Sequence, residues 1–593
     1  MQGRKIINKG RGPSTALGLF LCLLVLVLAG CDQQDNTLDG PNAPLAVNQQ
    51  TGVFPAVGEN SQSDFTSLDP ARASDHASAQ VISMAFTGLV SLDSHLQVKP
   101  QLAESYTSSD NALTWTFKLK PNLKFSDGTR LTSQDVVYSL DRALQPLTAS
   151  STASTFLGSI KDADKLRREE IQTLIGDSLQ APDAQTVIIQ LARPDQSFLS
   201  ALTNGCASVV KKQLVEKYGS AWTDHVNEGG STGPWVIARS IKQATRYIVL
   251  TPNTYYYGPR PKLKKAIVTY YINPQTVYRA YEAGQIDIAP VPSNQIGRAR
   301  ALPVGELHQV PGLTMYYYGL NYLTRPFDNL KVRQALALAI NKDVLAHDVY
   351  SGTMLATNHI VPAGIPGYTP QLSGPGGVSG TKGDPQKARQ LLDEGLHEEG
   401  VTRDIFKNVS FEVFSGIPSD VNIKSEYNSI RTMWKDFLGI DVKINDTSEA
   451  KYYSDLQNTV NNAKGLAIWR LSWNIDYPDP RAVLSSQFGQ GMSNNIQNYG
   501  QNNALNVDQQ QETQHLLTQA DAATNQQQRY QLYAQAEQRL VDDVAWLPLF
   551  QGVKSTVVKP CVQGWIDSPL DQVAPDDWAK ISLSTNVSCA HNV

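Results

Sequence analysis

Arg4, Lys5, Lys9 and Arg11 precede an uncharged apolar run from Leu17 to Leu28, and whatever follows that run has to fold as a water-exposed body outside the cytosol. The run is shorter than the ~20 residues a helix needs to cross a hydrocarbon core, and it reads as the apolar region of an export signal. Composition agrees with a folded body. The chain of 593 residues is 41% apolar and 18% charged, which excludes disordered, collagenous and membrane-bundle classes. Its length predicts several lobes, each with its own core. The formal net charge is -4 with the basic residues scattered, which argues against a nucleic-acid partner.

The apolar run ends in Leu28-Ala29-Gly30-Cys31, which resembles the lipobox of bacterial lipoproteins. The resemblance implies a signal peptide over residues 1–30 and a lipidated Cys31, anchoring the chain at the outer face of the cytoplasmic membrane. Two or more acyl chains hold a protein stably where one does so marginally. Loss of the leader would leave 47 basic against 55 acidic residues. From Asp32 to Gly52 the chain is polar, without apolar periodicity, and reads as a tether. Cys206, Cys561 and Cys589 remain in the body. Two readings stand: a loop-closing disulfide between Cys561 and Cys589 with Cys206 a buried thiol, or three reduced buried cysteines.

Short strands alternate with helices beyond the tether. Leu113, Trp115, Phe117 and Leu119 alternate with polar residues as in a half-buried strand, and Thr132-Ser133-Gln134-Asp135 resembles a capping box opening a helix. Further strands are expected at Thr186 to Leu191, Tyr247 to Thr251, Ala266 to Ile272, Val409 to Phe414 and Val442 to Asn445. Apolar stripes predict helices over Leu330 to Asn341 and Gln526 to Val544. Gly364 to Gly383 and Met492 to Gln511 read as loops, and no repeat period appears. The fold class is α/β. The tyrosine runs 255–257 and 316–318 read as packing within alternating strands.

Catalytic signatures are missing: no G-x-S-x-G elbow, phosphate loop, G-x-G-x-x-G or H-E-x-x-H. The nine histidines are dispersed, so no metal site is expected. The densest polar and aromatic segment is Trp469 to Pro480, with Arg470, Trp473, Asn474, Asp476, Tyr477 and Asp479. It reads either as an ammonium and carboxylate site side by side or as an Asp-Pro turn with an arginine stacked on a ring.

Several strings together resemble the extracellular solute-binding proteins of family 5, the oligopeptide- and dipeptide-binding lipoproteins of ABC importers. They include Leu68-Asp69-Pro70, Phe86-Thr87-Gly88-Leu89-Val90, residues 100–106, Lys124-Phe125-Ser126-Asp127-Gly128, Ser231-Thr232-Gly233-Pro234-Trp235, residues 332–342 and Trp473 to Pro480. The resemblance implies a two-lobed clamp of the class II periplasmic-binding type with an extra subdomain. Lobe I would span residues 53–311, with the subdomain at about 91–204. Lobe II would span 312–547, and 548–593 would return to lobe I. Two hinge crossovers are expected near Pro311-Gly312 and near Trp546 to Phe550. It further implies that Asp476 binds a peptide α-ammonium, that Trp473, Asn474 and Tyr477 line the pocket, and that Arg470 meets the ligand's carboxyl end. Phe550 stands where some relatives have a pocket tyrosine, and Asn474 stands where some have a cysteine. A peptide ligand, an ABC permease partner, a monomer and no cofactor are the implied associations. Nickel chelates, opines or oligosaccharides are the alternative ligands, and peptide sensing or a secreted hydrolase the alternative roles.

Overall fold

The computed structural model describes residues 50–58, 64–109, 112–242, 246–414, 422–570 and 572–584. The alternation around Trp115 becomes the strand Thr114–Leu119, which buries Trp115, Phe117 and Leu119. It sits in a four-stranded sheet between Ala103–Ser109 and Thr186–Gln190, with Leu179–Asp183 at the far edge. Helix Ser133–Leu144 covers this sheet, and its first turn is tied by the Asp135 carboxylate, which accepts the Thr132 N–H at 2.8 Å. One apolar core runs through these elements, from Ala71 to Val209.

A second four-stranded sheet orders Thr51–Val57, Lys265–Tyr271, Arg246–Pro252 and Trp235–Lys242, the first pair parallel. Its core also takes Val558, Trp578 and Ile581 from the end of the chain, with Trp578 edge-on to Phe54 at 5.2 Å. Chain start and chain end thus share one apolar cluster, and burial of such aromatic area stabilises by roughly 2 kcal/mol per side chain.

The remaining body is built on a seven-stranded mixed sheet whose central pair is Leu547–Val558 and Leu307–Leu320, flanked by Ile468–Asn474. Helices Leu330–Leu338, Pro385–Glu398 and Ile423–Met433 pack on it through Val332, Leu336, Leu392 and Ile430. Pro311 and Gly312, and residues 547–550, where the crossovers are expected, lie on this central pair. Pairing is regular from Leu307↔Val557 to Pro311↔Val553 and resumes at Met315↔Gln551, so a bulge of residues 312–314 follows Pro311. Proline has no N–H for the ladder, and a Cβ at Gly312 would lie 3.0 Å from Lys554 Cγ. Among the described residues no helix is long and apolar enough to cross a membrane.

Three expectations need correction. Tyr255 to Tyr257 lie in a turn after Arg246–Pro252 and not in a strand, because the Asn253 side chain accepts the Tyr255 N–H at 2.9 Å and bends the backbone. Tyr316 to Tyr318 do lie in a strand. The stretch from Met492 is a loop only as far as Asn506, since Val507–Ala522 is helical, and Asn495, Gln497, Asn498 and Tyr499 are buried. Its amides replace a ladder: Asn498 donates to Asn321 Oδ1 at 3.0 Å and Asn495 to the Tyr499 carbonyl at 2.8 Å, while Gln514 on the helix donates to the carbonyls of Phe488 and Tyr499 at 2.9 Å each. Helix Gln526–Asp542 buries Arg529 and Glu537 beside Tyr533 and Leu540, so its inner face carries charge as well as the expected apolar stripe.

Candidate functional site

Strand Ile468–Asn474 pairs antiparallel with Leu307–Leu320, placing Arg470 opposite Tyr318 and Trp473 opposite Met315. Beyond Asn474 the chain leaves the sheet in a loop held at several points. Asn474 Oδ1 accepts the Thr314 hydroxyl. Asp479 receives a bidentate pair from Arg529 at 2.8 and 2.5 Å, and also accepts the Arg481 N–H at 3.0 Å. Arg481 reaches out to Ser197 Oγ at 3.0 Å and pairs with Asp195. The Tyr477 ring lies edge-on to Phe156 at 6.2 Å. Asp195, Ser197 and Phe156 belong to the segment folded around Thr114–Leu119, so the loop is buttressed from both bodies.

Asp476 is the exception within this lattice. No hydrogen bond or ion pair reaches its carboxylate from the described residues, and the side chain is exposed along a cavity. Solvent touches the carboxyl, yet protein crowds it on the remaining sides, and that burial pushes its pKa up to about 6. The cavity has a volume of about 190 Å³ and is walled by the end of helix His76–Ala85, residues 86–88, 90–93, 202–205 and 208, the loop at Asp476 and Pro478, and, on the returning segment, Ser568, Leu570 and residues 572–575. Among the described residues its wall holds two carboxylates, Asp93 and Asp476, and no lysine, arginine or histidine. Asp93 is engaged by the N–H groups of His95 and Gln97 at 2.9 Å and by Lys99 at 3.5 Å.

The other expected site residues are distributed differently. Trp473 is half-buried with Nε1 unpartnered, and Tyr477 is half-buried at the join of two cores. Phe550 is fully buried, edge-on to Tyr350 at 5.3 Å, and lines neither the Asp476 cavity nor a second one of about 300 Å³ beside the crossing strands. Arg470 is 9% exposed, and its guanidinium meets Glu426, itself 0% exposed, at 2.9 and 3.2 Å. Tyr318 and Tyr350 donate to the same carboxylate, and Tyr316 lies 5.4 Å beneath the guanidinium. Burial works against the Arg470 charge, but Glu426 holds its pKa well above the usual value. Cys206 is a buried free thiol, pushed up to about 12 by burial. Cys561 is disulfide-bonded, while Cys589 and Cys31 lie outside the described residues. Among the described residues no group of three or more His, Cys, Asp or Glu could hold a metal ion.

Glu426, Arg529, Arg481 and Asp195 escaped sequence reasoning. One signal existed: Glu426 falls three residues after Ile423 and four before Ile430, on the apolar face of its helix.

The model of the bacterial extracellular solute-binding proteins, family 5 (middle), matches residues 97–495. The chain belongs to this family. It is 28% identical over 520 residues to the periplasmic murein peptide-binding protein MppA of Escherichia coli, covering 85% of this chain and 89% of that one. It is 29% identical over 543 residues to the periplasmic oligopeptide-binding protein OppA of Salmonella typhimurium, covering 90% and 93%. The unliganded open form of MppA overlays with a TM-score of 0.73 at 26% identity, covering 90% of this chain and 98% of that one. A second structure of Escherichia coli MppA overlays at 0.65, also at 26% identity, covering 91% and 99%. The family fold is the two-lobed α/β clamp, and family 5 proteins bind solutes without transforming them.

Proposed function

We propose that this protein captures peptides by their free α-ammonium group outside the cytoplasmic membrane and passes them to an ABC permease, without chemistry of its own. The observation that carries this reading is Asp476, a carboxylate that no described residue partners, in a cavity whose described wall residues include no base. An ammonium ion is what such a site lacks, because a crowded anion gains most from an opposite charge with N–H donors. The peptide-binding names of MppA and OppA support the ligand class. Strands Leu307–Leu320 and Leu547–Val558 act as the hinge between lobe I, residues 53–311 and 548–593, and lobe II, residues 312–547, with 91–204 as the subdomain. Closure brings ligand and both lobes together and offers the permease a new surface.

The test is native mass spectrometry on a chain beginning at Asp32, followed by denaturation and sequencing of what is released. Peptides of restricted length and varied sequence bear the reading out, whereas a single sugar or a metal complex would move the ligand class. Export and anchoring rest on the residues before Asp32: Cys31→Ser should shift the chain from the membrane to the soluble fraction of its host cell. An unchanged distribution would remove the lipid anchor from the account.

The raised Asp476 pKa makes binding pH-dependent. Below about 6 the ligand-free carboxyl is protonated, and a proton must leave before an ammonium can pair. Affinity should therefore fall by up to about tenfold per pH unit below 6, and again above about 8, where a peptide α-amine discharges. Calorimetric titration with trialanine from pH 4.5 to 9 reads this; a flat profile between 4.5 and 7 would exclude Asp476 as the partner.

A further inference from the structure

Arg470 is the one guanidinium that the family resemblance assigns to a ligand's carboxyl end, and here its charge is already answered. Glu426 faces it at 2.9 and 3.2 Å with two tyrosine hydroxyls on the same carboxylate, and the pair is almost fully enclosed. A buried ion pair satisfied in this way has no net charge to offer a third group, and displacing Glu426 would leave a desolvated carboxylate behind. Among the described residues the cavity that carries Asp476 has no basic residue of its own. Lys554, which borders the second cavity, is not without a partner.

From these two independent observations we infer that the clamp recognises its ligand by the ammonium end alone, and that Glu426 is the specificity residue that silences Arg470 as a carboxylate anchor. The ligand class is then an amine-headed peptide whose other end is equally acceptable as an acid, an amide or further chain. This rests on the reading of Asp476 for the amine end, but the statement about the carboxyl end stands on Glu426 and Arg470.

The experiment is a competition between a mixed tripeptide library as free acids and the same library as C-terminal amides, with bound species counted by mass spectrometry. The acid-to-amide ratio should lie within twofold of one for the natural chain and rise at least fivefold in Glu426→Gln, which keeps one acceptor oxygen for the Tyr318 and Tyr350 hydroxyls while removing the counter-charge. Acids favoured tenfold or more by the natural chain, or a ratio unmoved in Glu426→Gln, overturns the inference. Should that variant not fold, the pair Glu426→Leu with Arg470→Met replaces it: an unchanged ratio supports the inference, and a selective loss of acids overturns it. An N-acetylated library separates the two claims, since indifference to acetylation with a ratio of one sinks the amine reading and leaves only the statement about the carboxyl end, that Glu426 silences Arg470, standing. If no library binds, crystals soaked in sodium acetate decide, because acetate on Arg470 of the natural chain overturns the inference and acetate seen only in Glu426→Gln supports it.

Discussion

Asp476→Ala is expected to weaken a free-amine tripeptide by about 2–5 kcal/mol, roughly a 30- to 3,000-fold rise in Kd, because it removes one partner of a desolvated, hydrogen-bonded charge pair. The N-acetylated tripeptide should bind poorly to both proteins, with less than a threefold difference between them. Equal losses for the two ligands would show that Asp476 shapes the loop and does not meet the amine. Stability should move the other way. A carboxyl whose folded pKa lies above its unfolded value costs stability as pH rises past the unfolded value, and the cost is complete above about 6. Asp476→Ala should therefore melt no lower than the natural chain at pH 7.5, and the two melting temperatures should draw together towards pH 4. A substitution that abolishes binding while leaving the ligand-free protein intact is the mark of a residue held in an unfavourable state for its partner.

Arg529→Met is expected to be the most destabilising change near the site. The Arg529–Asp479 pair is bidentate at 2.8 and 2.5 Å with both side chains almost fully buried. Methionine matches much of the arginine's stem, so the main loss is the countercharge: Asp479 would be left alone, and an uncompensated buried charge costs about 3–5 kcal/mol. Asp479 also accepts the Arg481 N–H, and Arg481 ties the loop to Asp195 and Ser197, so the loss spreads to the support of Asp476. Urea unfolding followed by tryptophan fluorescence reads the stability, and trialanine calorimetry reads the site. A stability loss under 1 kcal/mol with unchanged peptide affinity would mean that the loop is held by Tyr477 and Asn474 without this pair. Replacing both partners, as in Arg529→Met with Asp479→Leu, should recover part of the stability, since a buried ion pair exchanged for apolar groups of similar volume is often close to neutral.

Local chemistry was readable wherever a pattern repeats within one element. The alternation Trp115, Phe117, Leu119 showed both a strand and its buried face. The Thr132–Asp135 box marked a helix start, and the Val332, Ala335, Leu336 stripe a core face. Asp476 was reached through resemblance, and the structure adds that its carboxylate stands without a partner. What stayed hidden depends on residues far apart in the chain. Nothing in Met492 to Gln511 announces that Asn495, Gln497 and Asn498 are buried, because their acceptors lie at Asn321 and on the backbone of Gln487 and Tyr499. Nothing in the stripe of Gln526 to Val544 marks Arg529 and Glu537 as buried, because their partners are Asp479 and the N–H groups of Ile360 and Val361, far off in the chain. Tyr255 to Tyr257 looked strand-like by composition, but a side-chain acceptor at Asn253 outweighed β-propensity.

The sequence by itself determined the α/β class and the elements with strong periodicity, since these follow from spacing and residue type along a few turns of chain, and the resemblance singled out the segment proposed to carry the site. Only the tertiary structure decided which of the site's charges are available. Arg470 and Asp476 are six residues apart, one shut against Glu426 and the other open to a cavity. That difference arises because charge in a low-dielectric interior is set by what the fold places within about 3 Å, and the fold draws those neighbours from anywhere in the chain.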